Sequence, residues 1–92
     1  MIVRISGEDQ YRLDDGQRDQ LNQLEERVVG IVESGAEDGF RDAFATLLQF
    51  VRDNGERVAA DDIESSDVIL PPADVTFAEA GSDFTGEGLI PD

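Results

Sequence analysis

Ninety-two residues carry 22 acidic side chains against seven basic ones, all arginine, for a formal net charge of −15 and a pI near 4.1. A chain this short builds one domain around one modest core, and with neither Cys nor His it lacks thiolate and imidazole chemistry, disulfides and the usual zinc and haem ligands. About three acids per base exclude electrostatic attraction to nucleic acid or anionic lipid, and no apolar run approaches the roughly 20 residues that span a bilayer.

The start, Met1-Ile2-Val3-Arg4-Ile5, has neither a sustained apolar stretch nor a small-residue cleavage site, so a cytoplasmic location is expected. A base set without lysine beneath so large an acid excess fits work in molar salt, where the Debye length falls to about 3 Å, and halophilic behaviour is expected. The apolar residues recur periodically across most of the chain, which argues against an acidic disordered tail.

Ile2 to Ile5 and Tyr11 to Leu13 predict two short strands around a Ser6-Gly7-Glu8-Asp9 turn. Asp14 followed by Gln17 has the spacing of a capping box and predicts the start of a first helix. In that helix Leu21, Leu24, Val28, Ile31 and Val32 recur at three and four, and Gly35 ends it. Gly30 within it fits either close approach of another backbone or a tolerated defect.

A second helix is marked by Glu37 and Asp38 at its positive end and by Phe40, Ala43, Phe44, Leu47, Leu48 and Val51 along one face. Arg52 and a left-handed stop at Asn54-Gly55 close it, and a Ser34-Gly35-Ala36 connection makes the two helices an antiparallel αα-hairpin. After a polar connection through Asp61 to Asp67, Val68-Ile69-Leu70 predicts a short buried extended run stopped by Pro71-Pro72. Thr76 to Glu79 fits a capping box opening a short last helix, which Gly81 weakens.

Few segments offer chemistry. Gly81 to Gly86 imitates the first half of a phosphate-binding loop, but Glu87 and Gly88 stand where Lys and Ser/Thr are required. Asp53 to Glu64 has the length of a calcium loop, yet Gly55 and Arg57 replace oxygen ligands and Val58 replaces the turn glycine. Adjacent carboxylates such as Asp14-Asp15 and Glu25-Glu26 are what chance gives at this acid density, and Ser65-Ser66-Asp67 has no nearby His or Lys base. Two heptads in the first helix are too few to establish a coiled coil, and Ile2, Val3 and Ile5 offer little readout for a ribbon-helix-helix DNA binder.

Met1 to Glu8, Tyr11-Arg12-Leu13, Ser66 to Asp74 with its Leu-Pro-Pro core, and Glu87-Gly88-Leu89-Ile90-Pro91 together resemble the PspA-associated family (PspAA). The two end blocks carry the specific part of this likeness; the helices match mainly in pattern. The resemblance implies a non-enzymatic companion of phage shock protein A, a coiled-coil membrane-stress protein, in a family found in actinobacteria and in archaea, halophiles included. It carries over no catalytic residues, cofactor or metal.

The expected architecture is therefore a single α+β domain over residues 1–92: an N-terminal β-hairpin, an antiparallel αα-hairpin, an extended segment adding a strand, and a short terminal helix. Phe40, Phe44, Leu47, Leu48, Leu24 and Val28 are the expected core. The expected function is an adaptor or regulator that binds phage shock protein A, with membrane association only through that partner. The alternative is a self-associating homodimer with no dedicated partner. Candidate partner-binding residues are Val68, Leu70, Pro71, Leu89 and Ile90, apolar groups in segments without regular periodicity, for which capping the core is the favoured alternative.

Overall fold

A computed structural model describes residues 1–58 and 65–83. It is an α+β fold with strands β1 (Ile2–Ile5), β2 (Gln10–Arg12), β3 (Glu56–Arg57) and β4 (Val68–Leu70), and helices α1 (Arg18–Ser34), α2 (Phe40–Asn54) and α3 (Phe77–Asp83). The sheet order is β3-β2-β1-β4. β1 pairs antiparallel with β2 and parallel with β4, so the αα-hairpin forms the body of the crossover between β1 and β4.

The β1–β2 turn needs a residue at φ +78°, and Gly7 supplies it without the steric penalty of a Cβ. Register then fixes the faces. Val3 and Ile5 on β1 lie beside Val68 and Leu70 on β4, and all four are buried, whereas their neighbours Arg4 and Ile69 pair with each other on the opposite face. Asp67 anchors the start of β4 by accepting a hydrogen bond from the Ile2 amide at 2.8 Å.

The inner face meets one core containing Leu13, Leu21, Val28, Phe40, Phe44, Leu47, Leu48, Val51 and Val75. Phe40 stacks on Phe44 at 5.6 Å and meets the edge of Phe77 at 5.5 Å, which ties α3 to α2. Of the expected core residues, Leu24 is only half-buried, packed against the cluster from its margin. The carboxylate pair in α1 separates by one helical step: Glu26 is exposed, and Glu25, 1% exposed, is the buried charged residue among the described ones.

Two helix ends depart from expectation, the start of α1 and the end of α2. Asp14 caps a 3₁₀ turn at Asp15–Gln17, accepting from the Gly16 amide at 3.4 Å, and α1 begins only at Arg18. Gln17 does not close a capping box there, because its Nε2 donates to Asn54 Oδ1 at 3.1 Å and so ties the start of α1 to the end of α2. Gly55 is not a left-handed stop either, since its backbone is extended at φ −83° and ψ 149°. Glycine is required there for room: a Cβ would lie 2.6 Å from the Val51 carbonyl oxygen and 2.8 Å from Tyr11 Cβ. The left-handed glycines of the hairpin are Gly35 at the end of α1 and Gly39 before α2.

The capping box at Thr76 forms as expected. Thr76 Oγ1 accepts from the Glu79 amide at 3.1 Å, and Glu79 Oε1 accepts from the Thr76 amide at 3.4 Å. Among the described residues a Cβ at Gly30 would meet nothing within 4 Å, so no described backbone approaches it and the tolerated defect is the alternative that holds.

Candidate protein-docking surface

An edge strand two layers deep shows one face to the core and the other to solvent, and β4 follows that rule residue by residue. Val68 and Leu70 point inward and are buried, and Pro71 is buried behind them. These three side chains fill the core, the second of the roles open to them from sequence, and leave little area for a partner. Leu89 and Ile90 lie outside the described residues.

The expectation that Val68-Ile69-Leu70 is buried throughout is corrected at its middle residue. Ile69 is 57% exposed and is the large hydrophobic residue so exposed among the described ones. Period-two alternation could have exposed it in the sequence, but a run of three apolar residues hides that alternation.

Arg4 lies beside Ile69 across the parallel pairing and is itself exposed. Gln10 lies opposite Arg4 on β2, and its Nε2 donates to Ser66 Oγ at 2.7 Å, holding the approach to β4 against the same sheet. The result is an apolar knob beside a guanidinium on a sheet edge that is unpaired among the described residues, in a chain of net charge −15. Such a pair can take an apolar side chain together with a neighbouring carboxylate. Pro71 and Pro72 follow directly and prevent β4 from extending as a flat edge for strand addition.

At the other margin of the sheet an open cleft of about 450 Å³, bordered by Met1, Arg12, Asp15 and Glu56, mixes both signs of charge. Among the described residues no group of three or more Asp or Glu side chains converges as a metal ion requires, and no helix is long and apolar enough to cross a membrane.

The fold and this surface define a small α+β domain in which an αα-hairpin backs a four-stranded mixed sheet with β3 and β4 at its edges. The family model described as "PspA-Associated protein" matches residues 1–92, and the chain belongs to that family, PspAA. No curated protein and no solved structure matches it.

Proposed function

We propose that the chain is a non-enzymatic adaptor or regulator that binds phage shock protein A. The observation that carries this is the family match along the whole of residues 1–92, from a family described by its association with PspA. The exposed Ile69 beside Arg4 supports the reading, because an apolar side chain with a flanking cation suits one turn of an amphipathic, acid-bearing helix, the surface a coiled-coil protein presents. The protein acts in the cytoplasm and reaches the membrane only through its partner, and its acid excess keeps it soluble at high salt.

The test is co-purification of the full chain with phage shock protein A in molar KCl, comparing the native sequence with Ile69→Asp. Capture by the native chain and its loss in a variant with an unchanged circular dichroism spectrum support both the partner and the surface. Capture unchanged by Ile69→Asp keeps the partner and moves the surface elsewhere. No capture at any salt concentration, with a dimer by sedimentation, replaces the adaptor with the self-associating domain.

A further inference from the structure

Asn54 and Gly55 form the junction between α2 and β3, and they are also the most labile backbone pair for asparagine deamidation, because glycine leaves its own nitrogen unhindered for attack on the preceding side chain. The fold uses both residues of the pair. Gly55 is sterically compulsory against Val51 and Tyr11. Asn54 closes the helix, its Nδ2 donating to the Phe50 carbonyl at 3.0 Å while its Oδ1 accepts from Gln17 at 3.1 Å.

The same contacts block the reaction. Cyclisation requires the Gly55 nitrogen to bond to Asn54 Cγ, with loss of the nitrogen's proton to solvent and departure of Nδ2 as ammonia. Water then opens the succinimide to aspartate or isoaspartate, so the net change is Asn plus water giving Asp or isoAsp plus ammonia. In the folded chain the Gly55 N–H donates to the Val51 carbonyl at 2.8 Å, so the nitrogen is held along the helix axis while the side-chain amide is turned back to Phe50. Attack needs rotation about the Asn54 Cα–C bond, which breaks the Val51 hydrogen bond, and turning of the amide, which breaks the Phe50 bond.

We infer that Asn54-Gly55 is a fold-gated self-modification site: closed while the last turn of α2 is intact, and reactive whenever that turn opens. The change is one-way. Aspartate places a new negative charge at the negative end of the α2 dipole and removes the Nδ2 donor, and isoaspartate adds a methylene to the backbone where Gly55 packs on Tyr11. A molecule that has opened once therefore closes less well.

The full chain is incubated in mildly alkaline buffer, folded and in denaturant, and the gain of one mass unit is followed by mass spectrometry with localisation by fragment ions. Asn22, followed by Gln23 within α1, is the other asparagine and the internal control. Conversion at position 54 is expected to run at least about tenfold slower in the folded chain, and Gln17→Ala, which frees Oδ1, is expected to raise the folded rate while leaving the denatured rate unchanged. Equal rates in the folded and denatured chains, or gain of mass at Asn22 in preference to Asn54, overturn the inference.

Discussion

Arg52, in the last turn of α2, grips Glu8 in the β1–β2 turn through both carboxylate oxygens, with Nε donating to Oε2 at 3.1 Å and Nη2 to Oε1. Forty-four residues separate them in sequence, so the pair fastens the tip of the hairpin to the C-terminal end of the helix. The hydrogen bond to Glu8, more than its charge, holds the Arg52 pKa above the ordinary arginine value, with burial opposing it. Both side chains are partly exposed, so solvent screens the interaction. Glu8→Ala or Arg52→Ala is expected to cost about 0.5–1 kcal/mol, and a double-mutant cycle in urea isolates the coupling. A group whose pKa is raised on folding contributes fully at every pH below its unfolded value, so the arginine's share persists from neutrality through the whole alkaline range below the ordinary arginine value. Arg52→Lys keeps the charge but not the two-pronged geometry, and recovers only part of the coupling.

Gly55 and Gly30 respond to the same substitution with opposite signs. Gly55→Ala drives a methyl group into the Val51 carbonyl and Tyr11, backbone and ring root that have little freedom to withdraw, and is expected to destabilise by about 1–3 kcal/mol. Gly30→Ala meets open space in mid-helix and is expected to stabilise by about 0.5–1 kcal/mol. Thermal melts of the two variants beside the native chain decide both. A stabilised Gly55→Ala would show that glycine serves there for something other than room.

These glycines also show where sequence is informative. Spacing alone finds α2, because its apolar residues recur over three turns on one face and nearly all of them are buried. The capping box at Thr76 is likewise local, two side chains and two amides within four residues, and it forms as its spacing predicts. Long-range demands are invisible. Gln17 has the spacing of a cap yet serves Asn54, and Gly55 has the position of a left-handed stop yet serves Tyr11. β3 is two charged, exposed residues with no alternation to detect, present only because Tyr11 and Arg12 offer it a register. At the candidate docking surface the exposure of Ile69 depends on which face of the sheet the helices cover, since Arg4 beside it on the central strand β1 is exposed on the same face, and that is a property of topology.

Leu70 and Ile69 are adjacent and chemically alike, and their substitutions are expected to separate stability from binding. Leu70→Ala removes a side chain with no exposure from the contact between the sheet and the helices, and the cavity is expected to cost about 2–5 kcal/mol. Ile69→Ala gives up little burial and is expected to cost under about 1 kcal/mol in urea unfolding, while weakening capture of the protein partner. A loss of stability at Ile69 matching that at Leu70 would mean that its outward face is covered, and would remove it from the proposed contact.

Salt is expected to act on the molecule and on its ion pairs in opposite directions. With 22 acids and seven bases, the folded chain holds many like charges at close range, and this repulsion exceeds that in the more expanded unfolded chain. The pairs Arg52–Glu8 and Arg57–Asp9 offset only a small part of it, and the Arg57–Asp9 pair is largely exposed. Raising KCl from about 0.1 M to 1 M shortens the Debye length from about 10 Å to about 3 Å, which suppresses the repulsion summed over many distances. The melting temperature should therefore rise with KCl while the Glu8–Arg52 coupling energy, measured by the same double-mutant cycle at each concentration, declines. A melting temperature that stays flat or falls across that range would show that carboxylate repulsion does not limit the stability of this fold.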